Sequence, residues 1–167
     1  MEQYCFGVDV GGTGIKVGLF DASGNLVDKW AFDTRKTDDA KDIFKDIADF
    51  INFKIKEMKL NKDQILGIGV GVPGPVRENG YIPNFANLGK ADFNIIEELH
   101  RLTGIPVRTA NDANVAALGE QWKGSGKGFQ SMVMVTLGTG VGGGVIINGK
   151  ILAGSFGAAG EIGHILV

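Results

Sequence analysis

The chain has 167 residues, of which 44% are hydrophobic and 22% are charged, and its formal net charge is −2. This composition is typical of a folded domain with a sizeable core, and the charge argues against a nucleic-acid surface or a polybasic membrane contact. One cysteine excludes an intrachain disulfide. Neither a secretory signal nor an apolar run of about 18 residues is present, so we expect a cytoplasmic protein without membrane contact.

Glycine is the residue that departs most from average usage, with 27 in the chain, about twice the usual share. The first cluster, Gly11-Gly12-Thr13-Gly14, joins predicted strands at 4–10 and 14–20, and a third strand follows at 26–33. These strands predict an antiparallel meander. Because glycine reaches positive φ cheaply, such a turn lets backbone N–H groups gather around an anion such as a phosphate.

The middle of the chain alternates helices and strands. An apolar face at helical spacing predicts a helix over 38–59, and a buried strand follows over 65–72, where Pro73-Gly74-Pro75 stops it. This alternation indicates an α/β fold with a mixed sheet. The elements that follow are a loop over 76–91, a helix over 93–102, a strand over 105–110 and a helix from Asn111-Asp112 to about Trp122.

The polar, glycine-rich stretch over 123–128 is the best candidate for a domain boundary. A second meander is predicted after it, over 131–137, 141–147 and 150–153, with Gly138-Thr139-Gly140 as its first turn. This unit repeats the opening of the chain, which indicates two related lobes, one over 1–123 and the beginning of another over 124–167. Because the second sheet would be incomplete, we expect the chain to be the N-terminal portion of a longer protein.

Asp9 is a carboxylate at the end of an apolar strand, directly before the first glycine turn. Burying a charge there is costly unless it has a partner, and Mg²⁺ carried by a nucleotide would supply one. The alternative is an aspartate that only shapes the turn. Lys16, two residues beyond Gly14, is placed to reach a phosphate, although an ordinary lysine at a strand end fits equally well.

Asn111 and Asp112 stand where a strand gives way to a helix. Either residue is a common helix cap, and the carboxyl end of a strand is also where α/β sheets place ligand-binding groups. A helix N-terminus keeps a carboxylate ionised, so Asp112 can act as a general base toward a hydroxyl. Both interpretations stay open on residue type alone.

Two further groups suit the recognition of hydroxyls. Glu161 and His164 are three residues apart, so on a helix they would share a face and bracket a polyol; alternatively, His164 is a surface or capping residue. Asn84 and Asn87 lie in the predicted loop, where asparagine is common for backbone reasons but also offers donors and an acceptor. No metal site is expected within this chain, because His164 lacks neighbouring ligands in the sequence.

Five motifs occur in order along the chain, and the sequence that contains them resembles the ROK family of repressors and sugar kinases, above all its ATP-dependent glucose kinases. The resemblance implies the ribonuclease-H-like fold of the actin and hexokinase superfamily, with a mixed sheet, a three-stranded antiparallel meander and flanking helices. It also implies a cleft in which ATP phosphorylates the 6-hydroxyl of a hexose. The motifs are Asp9 to Thr13 with Lys16, Gly71 to Val76, Asn111 to Asn114, Leu137 to Gly144 and Gly160 to His164.

The resemblance implies a role for each motif. Asp112 would take the proton from the sugar hydroxyl, and Asp9 would act on Mg²⁺. The residues implied to bind the sugar are Gly74, Asn87, Asn111, Asp112, Glu161 and His164. The residues implied to bind the ATP phosphates are Asp9, Gly11, Gly12, Thr13, Gly14, Lys16, Gly138, Thr139, Gly140 and Gly142.

In the family, a cysteine-rich segment follows the last motif, and His164 would join it in a structural zinc site only in a complete chain. Homodimers or homotetramers are implied for the full-length protein, and we expect this chain alone to be inactive. A kinase for an N-acetylated hexose such as N-acetylmannosamine shares these motifs. A repressor needs a helix-turn-helix, for which a sheet that begins near residue 4 leaves no room.

Overall fold

The computed structural model describes residues 2–77, 79–82, 88, 92–138, 140–154 and 159–164, with only the main chain at His164. No helix in this described part of the chain is long and apolar enough to span a membrane. The strands are β1 (Tyr4–Val10), β2 (Gly14–Asp21), β3 (Leu26–Asp33), β4 (Ile65–Val72), β5 (Tyr81–Ile82), β6 (Phe93–Asn94), β7 (Val107–Asn111), β8 (Met132–Leu137), β9 (Val141–Ile147) and β10 (Lys150–Ile151). The helices are α1 (Lys41–Glu57), α2 (Ile95–Thr103) and α3 (Asp112–Lys123), and short 3₁₀ turns lie at Lys62–Gln64 and Ile162–His164.

Strands β1 to β4 and β7 form the main sheet, in the order β3-β2-β1-β4-β7. β1, β2 and β3 pair antiparallel as a meander, whereas β4 runs parallel to β1 and β7 runs parallel to β4. This arrangement confirms the predicted mixed sheet with an antiparallel meander. Because β1, β4 and β7 are parallel, their carboxyl ends lie at one edge of the sheet.

One face of the main sheet carries the core. The buried residues of β1 and β2 alternate with more exposed ones, as the period of a strand requires. On α1, Ile43, Ile47 and Ile51 belong to the same core and are no more than 1% exposed. Each fully buried isoleucine stabilises the fold by about 1.5–3 kcal/mol, so packing rather than helix propensity holds α1 in place.

The opposite face of the main sheet has glycines at neighbouring positions on three strands. Gly7 pairs with Gly18 on β2 and with Gly69 on β4. An open groove of about 840 Å³ lies over these residues, and α3 borders it through Val115 and Leu118. A Cβ atom added at Gly7 or Gly18 would lie 3.1 or 2.8 Å from the Phe20 ring, so these glycines make room for that ring at the floor of the groove.

Strands β8, β9 and β10 form the second sheet, which is antiparallel throughout and has the order β10-β9-β8. This order repeats β3-β2-β1 of the main sheet. A Cβ atom added at Gly144 of β9 would lie 2.6 Å from Ala117 Cβ and 2.7 Å from the carbonyl oxygen of Ala113. α3 thus packs directly on bare backbone of the second sheet and also contacts β4 and β7 of the main sheet.

The helix starts differ from the sequence prediction. α1 begins at Lys41 rather than at 38, its N-cap residue is Ala40, and Asp39 Oδ1 accepts the Lys41 N–H at 2.9 Å. The predicted loop contains β5, which pairs with β6 at Phe93–Asn94, where the sequence predicted helix. Asn94 instead caps α2 by accepting the Glu97 N–H. A strand of two residues shows too little alternation to be recognised in a sequence.

Candidate active site

The parallel strands of the main sheet bring three sequence motifs to one edge. Asp9 on β1 is level with Gly71 on β4, and Gly71 is level with Ala110 on β7. One step further, Val72 pairs with Asn111, and Asp112 follows as the first residue of α3. Asp9, the end of β4 and Asn111-Asp112 therefore meet where open α/β sheets bind ligands.

Asn111 is the N-cap of α3. Its Oδ1 accepts the N–H of Asn114 at 3.1 Å, and its Nδ2 donates to the carbonyl oxygen of Gly74 at 3.2 Å. The residue as a whole is only 8% exposed. The capping interpretation from the sequence is thus realised. The same side chain also joins the motif after β4 to the start of α3, so two predicted sugar-binding residues lie in contact.

Asp112 is partly buried at the first turn of α3, and its Oδ1 accepts the N–H of Ala113 at 2.7 Å. Burial raises the pKa of its carboxyl above the ordinary value, the bond from Ala113 opposes that rise, and the negative charge of Asp9 adds to it. A carboxylate that is costly to keep charged gains free energy by taking up a proton. Asp112 therefore has the electrostatics of a general base.

Asp9 is the second carboxylate at this edge of the sheet, and its charge contributes to the raised pKa of Asp112. Its Oδ2 accepts a hydrogen bond from Lys16 Nζ at 3.2 Å, but the two side chains are 52% and 76% exposed, so the ion pair is weak. The burial expected for Asp9 from its apolar strand is therefore wrong, because the side chain lies on the exposed side of β1, and its carboxylate stays accessible to a cation. Mg²⁺ needs only one or two protein carboxylates when phosphates and water supply its other ligands, and Asp9 fits that requirement.

The first glycine turn, Gly11 to Gly14, is closed by a bond from the Gly11 N–H to the Gly14 carbonyl oxygen at 3.0 Å. Among the described residues, no acceptor is bound to the N–H groups of Gly12 and Thr13. A Cβ atom added at Gly12 would meet nothing within 4 Å. Free N–H groups beside open space form the kind of cradle that an anionic phosphate fills.

The second glycine turn connects β8 and β9, and the Gly138 N–H donates to the Gly140 carbonyl oxygen at 2.9 Å. Gly138 and Gly140 are also open, with nothing within 4 Å of an added Cβ atom. Gly142, at the start of β9, is closed instead, because a Cβ atom there would lie 2.6 Å from Thr136 Oγ1. At Gly138 and Gly140, the turn therefore offers exposed backbone between β8 and β9.

The segment that carries the last motif packs against β9 on the side away from α3. A Cβ atom added at Gly143 would lie 2.5 Å from the Gly160 carbonyl oxygen and 2.9 Å from Ile162 Cγ1. Glu161 is exposed and directly precedes the 3₁₀ turn Ile162–His164. No regular α-helix carries Glu161 and His164 within the described residues, so the shared helical face considered from the sequence is not formed there.

Several predicted positions lie outside the described residues: Asn84, Asn87, Thr139 and the side chain of His164. Among the described residues, no group of three or more His, Cys, Asp or Glu side chains comes together as a metal site. Thr34 was not among the residues predicted from the sequence, yet its hydroxyl donates to the Gly11 carbonyl oxygen at 2.6 Å. The available signal was its place after β3, opposite Thr13 in the continued strand register.

Comparison with known proteins agrees with this architecture. Residues 5–167 match the ROK family. A glucokinase of Halalkalibacterium halodurans is 46% identical over 167 residues, which cover 99% of this chain and 51% of the relative. The chain spans about half the length of the curated relatives it matches.

Solved structures give the same result. A ROK hexokinase from Thermus thermophilus is 35% identical with a TM-score of 0.83, and the match covers 100% of this chain and 54% of that one. A ROK family glucokinase from Streptomyces griseus, in complex with glucose and AMPPNP, is 32% identical with a TM-score of 0.82, over 98% of this chain and 51% of that one. The family match, the similarity in sequence and the similarity in fold agree, and the chain belongs to the ROK family.

Proposed function

We propose that this chain supplies the catalytic base and the phosphate-binding turns of an ATP-dependent hexose kinase, with glucose as the preferred sugar. One observation carries the proposal. Asp112, a partly buried carboxylate with a raised pKa, lies at the edge of the sheet where Asp9 and the first glycine turn also lie. Family membership and the glucokinase relatives support the same activity.

The chemistry follows from the position of Asp112. Its carboxylate takes the proton from the 6-hydroxyl of the sugar while that oxygen forms a bond to the γ-phosphorus of ATP. The bond from the γ-phosphorus to the bridging oxygen breaks, which gives hexose 6-phosphate and ADP. Phosphoryl transfer needs mainly alignment and charge stabilisation, so one base and a set of fixed donors are sufficient.

The remaining roles are assigned by motif. The first glycine turn with Lys16, and the second with Gly138 to Gly142, hold the phosphates through backbone N–H groups. Mg²⁺ beside Asp9 would neutralise charge on the phosphates. Asn111 is fixed by its bonds to Asn114 and Gly74, and its second amide N–H would donate to a sugar hydroxyl. Asn87, Glu161 and His164 complete the proposed sugar site.

Residues 1–123 form the smaller lobe in this proposal, and 124–167 begin the second. In the full-length protein, His164 binds a structural zinc, and the protein assembles as a homodimer or homotetramer. Metal analysis of the purified protein by mass spectrometry and its mass in sedimentation equilibrium check these two statements. A zinc-free monomer with full activity would contradict both.

A coupled assay of ADP release by the full-length protein tests the activity itself. We expect kcat/KM to be highest for glucose when glucose, mannose, N-acetylglucosamine and N-acetylmannosamine are compared at fixed Mg·ATP. A higher value for an N-acetylated hexose would replace the sugar while keeping the reaction. If none of these sugars is phosphorylated, the proposed hexose kinase is wrong.

A further inference from the structure

Thr34 lies directly after β3 and donates hydrogen bonds to carbonyl oxygens of the first glycine turn. We infer that Thr34 is a positioning residue, which orients the N–H groups of this turn toward the phosphates of the nucleotide. The inference rests on the proposed function, because it gives the turn its ligand. It adds a residue outside the five motifs to the machinery of the site.

Two hydrogen bonds connect Thr34 to the turn. Its hydroxyl donates to the Gly11 carbonyl oxygen at 2.6 Å, and its backbone N–H donates to the Thr13 carbonyl oxygen at 3.2 Å. A third bond, from the Gly11 N–H to the Gly14 carbonyl oxygen, closes the turn itself. Three carbonyl groups of a four-residue turn are therefore fixed in direction.

Fixing a carbonyl group also fixes an N–H group. Among the residues that the structure describes there is no cis peptide bond, and in a planar trans peptide the C=O and the following N–H point in opposite directions. The Gly11 carbonyl points at Thr34, so the Gly12 N–H points away from it. This N–H binds no acceptor among the described residues, and a Cβ atom added at Gly12 would meet nothing within 4 Å, so the turn has open space beside it.

Burial keeps Thr34 out of the ligand site. The residue is 9% exposed and its hydroxyl donates to the turn, so the hydroxyl is not available to the nucleotide and acts through the turn alone. Glycine-rich backbone is otherwise free to rotate its peptide planes, at a cost in conformational entropy that a bound phosphate would have to offset. The hydroxyl of Thr34 removes that freedom before the ligand arrives, and donors fixed in advance are those that stabilise developing charge best.

Thr34→Val in the full-length protein tests the inference, because it removes the hydroxyl bond and leaves the backbone bond to Thr13. We expect KM for ATP to rise about fivefold, the change that corresponds to one ordinary hydrogen bond, while KM for glucose stays within twofold. Thr34→Ser keeps the hydroxyl and is expected to restore the wild-type KM for ATP. Thr34→Ala, which brings no second methyl group against Gly11, replaces the valine variant if that variant does not fold.

Thr103→Val is the matched control. Thr103 is buried, and its hydroxyl donates to the Leu99 carbonyl oxygen at 2.7 Å at the end of α2, so its loss affects folding without touching the turn. We expect it to lower the melting temperature and leave both KM values unchanged. An equal rise of both KM values in Thr34→Val, or a KM for ATP that stays at the wild-type value, would overturn the inference. A wild-type protein that phosphorylates no hexose contradicts the proposed function instead.

Discussion

The role proposed for Asp112 and its surroundings favour different protonation states of its carboxyl group. Its carboxyl must be charged to accept a proton, yet burial and the neighbouring Asp9 charge make the charged form costly. The helix N-terminus and the bond from the Ala113 N–H offset part of that cost. Residues with such conflicts are typical of active sites, where function is retained at the expense of stability.

Asp112→Asn is expected to lower kcat about 10²- to 10⁴-fold, because an amide accepts no proton at neutral pH. The same change is expected to raise the melting temperature at pH 7. A carboxyl with a raised folded-state pKa stabilises the fold only while it is protonated at low pH, and this contribution is lost as pH rises through that pKa. Differential scanning calorimetry and the coupled assay measure the two effects. Asp49→Asn, an exposed change on α1, is the control; a melting temperature below that of the wild type would contradict the electrostatic account.

The pH dependence of turnover follows from the same pKa. As pH falls through the raised pKa of Asp112, the carboxyl takes up a proton and can no longer act as base, so kcat is expected to fall on an acid limb above the ordinary aspartate value of about 3.9. Asp9 contributes to that rise, and Asp9→Asn is therefore expected to move the Asp112 titration to lower pH. Carboxyl ¹³C NMR of the nucleotide-free protein follows this titration directly. An unchanged titration in Asp9→Asn, with Asp28→Asn as control, would exclude the coupling.

The position of α3 depends on the glycines of β9, which have no side chains to hold the helix away from the strand. Gly142 and Gly144 present bare backbone where an ordinary strand presents side chains, so the helix settles directly onto the strand. The end of α3 is held separately, because Lys123 Nζ donates to the Ser23 carbonyl oxygen at 3.0 Å in the turn between β2 and β3. Contacts at both ends therefore set where the helix places Asp112.

Gly144→Ala tests this packing. The added methyl group would meet Ala117 and the Ala113 backbone at less than 3 Å, so we expect a loss of about 1–3 kcal/mol in the free energy of unfolding. Gly119→Ala on α3 is the matched control, since nothing lies within 4 Å of its added Cβ atom and alanine favours a helix over glycine by about 1 kcal/mol. Urea denaturation compares the two variants. Equal stability of both would mean that β9 can move away from α3 at little cost.

Elements with a long repeat were predictable from the sequence, and contacts between distant residues were not. The apolar spacing of α1 and the alternation of β1 and β2 located these elements within a few residues. Thr34 was missed because its role depends on a partner 23 positions away at Gly11. Capping of α3 by Asn111 was one of two interpretations that the sequence left open, whereas the bond of Asn111 to Gly74 requires the parallel register of β4 and β7, which no local pattern contains.

At the scale of the whole molecule, the second sheet exposes apolar side chains on β8. On β8, Val133 and Val135 are 62% and 52% exposed, on the face of the second sheet opposite α3. β8 is also an edge strand of that sheet among the described residues. An exposed apolar edge strand promotes association between chains.

A polypeptide of residues 1–167 is therefore expected to self-associate as its concentration rises. Val133→Lys and Val135→Lys together are expected to suppress this, because charges on a strand face and edge oppose pairing. Sedimentation velocity over a range of concentrations measures the association. Phe53→Lys, a change at a 56% exposed site on α1, is the control; a monomeric wild-type chain would show that the face of β8 is not adhesive.

The run Gly142-Gly143-Gly144 has a consequence for the thickness of the molecule. On one side Gly144 touches α3, and on the other Gly143 touches the segment at Gly160 to Ile162. Only a single strand of main chain separates the helix that begins with Asp112 from the segment that carries Glu161. The helix, the strand and the segment thus form three layers, and at these glycines no strand side chain lies between them. A methyl group at Gly143 or Gly144 would increase the spacing between these layers. It would thereby move Asp112 and Glu161, two proposed sugar-binding residues, apart without altering either one.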